Sequence, residues 1–148
     1  MNELDRAWQA ALAAEHQAVF GYGLLGPRLR GAQHTLALSC AAAHEALRDA
    51  TEASMAGAGL QPVSPRADYP ALYPVSDAGQ ARALAARLED DCAAAWRYLY
   101  AQAARAGATA RAAQAQVALT VSAVRATRWR LLVSPADATR PFPGVASE

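Results

Sequence analysis

A carboxylate or an imidazole on the inward face of a helix can ligate a metal, hold a buried ion pair or carry a proton. Few positions in this chain qualify. Glu15 is the first, on a seven-residue seam with Trp8, Tyr22 and Leu29, whose other members are aromatic or apolar. A carboxylate there is either buried with partners or marks a seam turned away from the core. His16 adjoins it and is able to face solvent. His44 lies four residues after Cys40 and three before Leu47, so it shares their apolar stripe; Glu45 is its neighbour and Arg48 follows at i+4. Glu89, Asp90 and Asp91 then stand in a row. Because successive helical residues turn by about 100°, only one or two of the three can face a core. Further on, the polar candidates are Thr120, Ser122, Arg125 and Arg128.

The sharpest chemistry these residues suggest is a dinuclear metal site inside a helix bundle. Such a site takes one Glu from each of two helices and a Glu-x-x-His pair from each of the other two. Glu15 and Glu89 match the single carboxylates and His44 one histidine. The residue three before His44 is Ala41, however, and no Glu or His occurs between Thr109 and Leu132. The set is incomplete, so the expectation is no metal and a buried ion-pair network. In it Arg48 and Arg128 oppose Glu15 and Glu89, since guanidinium groups satisfy carboxylates bidentately. The alternative is a reduced site holding iron or manganese through Glu15, His44 and Glu89. Cys40, His44 and Cys92 are a weaker zinc set, more simply read as core thiols and a histidine. Ser39 or Cys40 near His44 lacks the nucleophile elbow that acyl-transfer chemistry uses. No phosphate loop, dinucleotide fingerprint or zinc ribbon is present.

Long helices must position these groups. Apolar periodicity predicts a first helix over about 4–29, with Leu4, Ala11, Ala18 and Leu25 on one stripe, weakened near Pro27 and Gly31. A second covers 33–58, with Leu36, Cys40, Leu47 and Met55 facing one way and Gly57 and Gly59 as stop signals. Four prolines between Leu60 and Val75 forbid helix there. A third helix spans 76–106, capped by Ser76 and ended by Gly107; a fourth spans 109–134, capped by Thr109 and carrying Val117, Val121, Val124 and Leu131. The tail, 135–148, reads as irregular, with Phe142 docked onto the bundle. Short connections make helices one and two, and three and four, antiparallel hairpins. A 26-residue helix is about 39 Å long, and a connection of about 16 residues stretches to roughly 53 Å. The proline-rich segment can therefore cross the whole bundle, setting helix three parallel to helix two. That is an all-α, ferritin-like antiparallel four-helix bundle with one long crossover.

Composition agrees. At 148 residues the chain is the size of one domain, 1–148, and its 53% apolar content is rich in alanine, a strong helix former that favours close helix approach. All 14 basic residues are Arg, yet the net charge is only +1, which argues against a nucleic-acid partner. Two cysteines make no disulfide framework. No stretch is long and apolar enough for a membrane span or a leader, so a cytoplasmic location with reduced thiols is expected.

Several runs carry a family resemblance: ALAAEHQAVFGYGLLG from Ala11 to Gly26, AAHEALRD from Ala42 to Asp49, RLEDDCAAAWR from Arg87 to Arg97, ALTVSAVRATRWR from Ala118 to Arg130, and the closing PFPG. In this order and spacing, over nearly the whole chain, they resemble an alanine-rich ferritin-like domain of unknown function. Phe20-Gly21-Tyr22-Gly23 stands where that family has a YGYG-type opening. The resemblance implies a ferritin-like fold and comparison with di-iron proteins, and no particular activity. It directs attention to Glu15, His16, Tyr22, His44, Arg48, Glu89, Trp96, Arg97, Arg128 and Trp129. The function expected is a binding or assembly module with a buried Glu/Arg/His network at Glu15, His16, Tyr22, His44, Arg48, Glu89 and Arg128. Its expected partners are a second copy of the chain and a small-molecule ligand, the latter between Glu15, Tyr22 and the second helix. The rival is a metal-dependent oxidase or hydroxylase with a reduced metal site.

Overall fold

The computed structural model describes residues 1–145. Its long elements are α1 (Glu3–Leu25), α2 (Gly31–Gly57), α3 (Ala78–Arg105) and α4 (Thr109–Val133). Helix α1 starts where the Asn2 side chain accepts from the Asp5 amide at 2.8 Å, with Glu3 and Asp5 beside the positive end of the helix dipole. Pro27 cannot continue it, and Gly26–Arg28 tighten into a 3-10 turn before α2. Gly59, at φ 76°, takes the left-handed conformation that closes the end of α2.

Two caps differ from expectation. Asp77, not Ser76, caps α3: its carboxylate accepts from the Gln80 amide at 2.8 Å, while Gln80 Oε1 accepts from the Ser76 amide at 2.7 Å. The residue before α4 is Ala108, with no side-chain cap, and Thr109 is already helical.

The proline-rich crossover runs along α1. Gln9 Nε2 donates to Gln61 O at 2.7 Å and Gln9 Oε1 accepts from the Val63 amide at 2.8 Å. About three turns further along α1, Tyr69 packs on Phe20 with ring centres 5.1 Å apart. In the third turn of α3, Arg87 donates to Ala71 O at 2.8 Å. A segment that leaves α2 beside Gln9 and arrives beyond Phe20 has crossed the bundle lengthwise, so α2 and α3 run parallel. Two antiparallel hairpins with one such crossover make the ferritin-like topology.

Close approach of α1 to α3 depends on Gly21, where an added Cβ would lie 2.4 Å from the Leu88 side chain. Apolar residues pack in two clusters. One holds Tyr22, Leu25, Leu72, Leu84, Leu88 and Trp129; the other holds Trp8, Leu12, Met55, Cys92, Trp96 and Leu99. Glu89 falls between Leu88 and Cys92, at the border of the two.

Helix α4 departs from its apolar pattern. Its buried residues are Ala115, Ala118, Ser122, Ala126, Trp129 and Arg130, whereas Val117, Val121, Val124 and Leu131 are 65%, 39%, 56% and 50% exposed. Small residues let its backbone approach α3, which turns the branched ones outward. The tail also differs. Phe142 is 69% exposed, and the tail is held by Ala138, whose carbonyl accepts from Arg130 Nε at 2.7 Å, and by Gly144 against the Ala93 carbonyl. Among the described residues no helix is long and apolar enough to cross a membrane.

Candidate functional site

The inward seam of α1 places Glu15 and Tyr22 two turns apart, and both are buried, as are His44 on α2 and Glu89 on α3. These four side chains meet. His44 Nδ1–H donates to Glu15 Oε2 at 2.6 Å, and His44 Nε2–H donates to Glu89 Oε1 at 3.0 Å. Both acceptors are carboxylates, so both ring nitrogens act as donors and the ring is an imidazolium. The Tyr22 hydroxyl donates to Glu89 Oε1 at 2.7 Å, and its ring stacks on His44 with centres 5.5 Å apart. Trp96 Nε1–H donates to Glu15 Oε1 at 2.7 Å, and Trp129 Nε1–H donates to the Tyr22 oxygen at 2.9 Å. All four helices contribute.

Burial acts on every titratable group here. For His44 it favours loss of the proton, but hydrogen bonds to Glu15 and Glu89, and their charge, outweigh it and raise the pKa to about 9. Burial drives the Tyr22 hydroxyl well above its ordinary value, with the Glu89 carboxylate adding to the effect. It raises the Cys40 and Cys92 thiols too, the latter well above the ordinary range and helped by Glu15. Cys92 donates to the Ala14 carbonyl at 3.6 Å. The centre therefore contains two acids, one cation, a neutral phenol and neutral thiols. A thiol held this way is no nucleophile and a poor metal ligand.

Of the expected residues, Glu15, Tyr22, His44 and Glu89 are brought together, and the other three are not. His16 is buried but points to the crossover, where Nε2–H donates to Val63 O at 3.0 Å with Glu52 3.4 Å away. Arg48 bonds its neighbour Asp49 at 2.7 Å near the surface, and Arg128 is exposed. The arginines expected opposite Glu15 and Glu89 are thus replaced by one histidine. A long guanidinium stem on α2 reaches solvent from position 48 and gains hydration there, whereas His44 is short enough to end between the acids. The buried arginine is instead Arg130, whose Nη1 donates to both Asp90 oxygens, at 2.6 and 2.8 Å. Trp96 and Trp129 are more than core aromatics. Their signal in the sequence is spacing: Trp96 lies seven after Glu89 and Trp129 seven after Ser122, the same interval that separates Trp8, Glu15 and Tyr22. The ligand space expected between Glu15 and Tyr22 is occupied by the His44 ring.

The fold raises the question of a metal pair. Glu15, His44 and Cys92 offer donor atoms within 4.8 Å of one another. Yet both ring nitrogens of His44 already bind carboxylates, Cys92 is a protonated thiol, and three of the four carboxylate oxygens have donors. Glu89 Oε2 alone has no partner. The inward positions of α4 are Ser122, Ala126 and Trp129, none a metal ligand for iron or manganese. The residues present do not fit a di-iron group.

Comparison with known proteins agrees with the topology. The profile of the Domain of unknown function (DUF4439) matches residues 7–147. A crystal structure of a conserved hypothetical protein from Mycobacterium tuberculosis is similar, with 32% identity and a TM-score of 0.81 over 88% of this chain and 96% of that one. A ferritin-like, diiron-carboxylate protein structure from Bacillus anthracis str. Ames is similar in fold, with a TM-score of 0.77 over 89% of this chain and 96% of that one at 14% identity. No curated protein matches the chain. The chain belongs to the DUF4439 family and has a ferritin-like fold.

Proposed function

We propose that this member of the family is a metal-independent binding module: a ferritin-like bundle whose centre holds helices together and whose work is done on its surface. The observation that carries the reading is the use of both His44 ring nitrogens by Glu15 and Glu89. A histidine so engaged has no lone pair for a metal. Its charge does the neutralising that a metal would otherwise do for the two acids. Metal analysis of protein purified without chelator tests this. Less than a tenth of an equivalent of metal is expected. Stoichiometric iron or manganese, lost on Glu15→Ala, would instead establish the reduced oxidase or hydroxylase site at Glu15, His44 and Glu89.

Assembly with a second copy is supported by the outer ridge of α4. Val117 and Val121 flank a groove toward α2, and Leu131 flanks another on the same side. Exposed apolar residues grouped in this way mark interaction surfaces. Sedimentation of the wild-type chain is expected to give a dimer that Val117→Glu with Val121→Glu converts to a monomer. A wild-type monomer at high concentration removes the assembly part of the reading.

A further inference from the structure

The other flank of α4 differs from the one facing α2. Between α3 and α4 lies a groove of about 750 Å³, in the size range of small-molecule sites. Its walls are mostly apolar: Leu119, Ala123 and Val124 from α4, with Tyr100 from α3. It extends from Gln116 to Arg130, which at 1.5 Å per residue is about 21 Å. Pro143 of the tail closes one side of it. That segment is itself fixed, because Gly144 at φ 79° lets the backbone come against the Ala93 carbonyl and Arg97.

Charge in the groove is one-sided. No Asp or Glu lines it, and none occurs in the sequence from Cys92 to Ala136. Of the four arginines on its walls, Arg130 is balanced by Asp90 and Arg140 has an interaction of its own. Arg97 bonds only a neutral carbonyl, that of Pro143 at 3.3 Å, and Arg128 has no hydrogen-bond or ion-pair partner among the described residues. Arg97 faces the groove, and Arg128 stands on the ridge between it and the groove toward α2. Arg128 lies nine residues beyond Leu119, about 14 Å along the helix. The cavity thus joins an apolar stretch of α4, which Arg97 of α3 flanks, to a cationic end at Arg128.

We propose that this groove binds a single-chain carboxylic amphiphile, a long-chain fatty acid, with its chain along Leu119, Ala123 and Val124 and its carboxylate on Arg128. The inference gives the binding module a ligand class and rests on that reading. Shape favours one unbranched chain. A peptide helix of the same length, about 10 Å across, occupies roughly 1,600 Å³ and would seat only partly. Charge favours an anion, since guanidinium forks hold carboxylates through paired hydrogen bonds.

The test is binding of palmitate below its micellar concentration, with hexadecanol and acetate as probes lacking charge or chain. One palmitate per chain is expected, with both controls at least about tenfold weaker. Arg128→Gln should weaken palmitate binding by about tenfold and leave hexadecanol unchanged. Ala123→Trp should abolish binding while circular dichroism stays helical. If that variant does not fold, Thr120→Trp, at an exposed position on the same wall, takes its place. The proposal is overturned by a folded wild-type chain that ignores palmitate, by equal binding of palmitate and hexadecanol, or by an Arg128→Gln variant that binds as well as wild type. Retention on anionic phospholipid vesicles without palmitate binding also overturns it and assigns the groove to a membrane surface. Metal content is measured on the same sample, so iron in the core with palmitate still bound would refute the metal-free reading and leave this one standing.

Discussion

His44 Nδ1 and Glu15 Oε2 lie 2.6 Å apart, and neither side chain exposes any surface to solvent. A charged pair in that position cannot be partly replaced by water when one member is removed. The second carboxylate, Glu89, completes the arrangement at 3.0 Å on the far side of the ring. One cation between two acids leaves the centre short of neutrality. The indole of Trp96 and the hydroxyl of Tyr22 lessen that excess by donating to the acids.

Removing the cation alone should be the most damaging change. His44→Leu leaves two buried carboxylates facing each other, a loss of about 3–5 kcal/mol for a broken buried pair. Replacing Glu15, His44 and Glu89 together by leucine removes all three charges and should cost much less than His44→Leu. Urea unfolding of both variants decides. Equal losses would mean that packing rather than charge sets the stability of the centre.

Stability should depend on pH through His44. Its pKa is raised from 6.5 to about 9 in the folded chain, so the native state holds this proton more tightly than the unfolded state. The contribution is complete below about pH 6.5 and is lost as pH rises through about 9. Its size is on the order of 3 kcal/mol. The urea midpoint of the wild type should fall across that window, and His44→Gln should lack the decline. A wild-type midpoint that stays level would rule out a charged His44.

Trp96→Phe keeps the ring and deletes the donor to Glu15 Oε1. The expected loss is about 1.5–3 kcal/mol, because the lost bond is to a charged group. Trp129→Phe removes a donor to the neutral Tyr22 hydroxyl and should cost about 1 kcal/mol. Thermal or chemical unfolding ranks the two, and the reverse order would contradict the assignment of Trp96 to the carboxylate.

Gly21→Ala tests the approach of α1 to α3. The new methyl would meet the buried Leu88 side chain, and overpacking of this kind costs about 1–3 kcal/mol. Gly23, with nothing near its Cβ position, is the control, and Gly23→Ala should be neutral or stabilising. A neutral Gly21→Ala would mean that the helices are farther apart than the structure has them.

Arg130→Gln should loosen the tail. Arg130 joins Asp90 on α3 to the Ala138 carbonyl. Without it, limited proteolysis should cut after residue 134 while the four-helix core survives. Unchanged resistance would show that Gly144 and its neighbours hold the tail unaided.

The helices, the crossover and a short set of inward candidates that includes Glu15, His44 and Glu89 were legible because each is a local property. Seven-residue spacing determines which residues share a face, four prolines forbid helix between Leu60 and Val75, and loop lengths limit topology. At two helix starts adjacent residues compete: Asp77 rather than Ser76 caps α3 through one hydrogen bond, and α4 begins after Ala108 with no side-chain cap, so that Thr109 is already helical. Partner choice was not legible. The sequence offers Arg48, Arg128, Arg130 and His44 to the same acids, and nothing in spacing says which cation ends between them. Tertiary structure decided it through reach and hydration: His44 stops short inside the bundle, Arg48 and Arg128 extend to water, and Arg130 turns to Asp90. The same holds for α4, where valine periodicity suggests a buried face. The close packing of Ala115, Ala118 and Ala126 against the bundle turned those valines outward. An amphipathic pattern specifies that one face differs from the other, while the space available between helices determines which of the two goes inside.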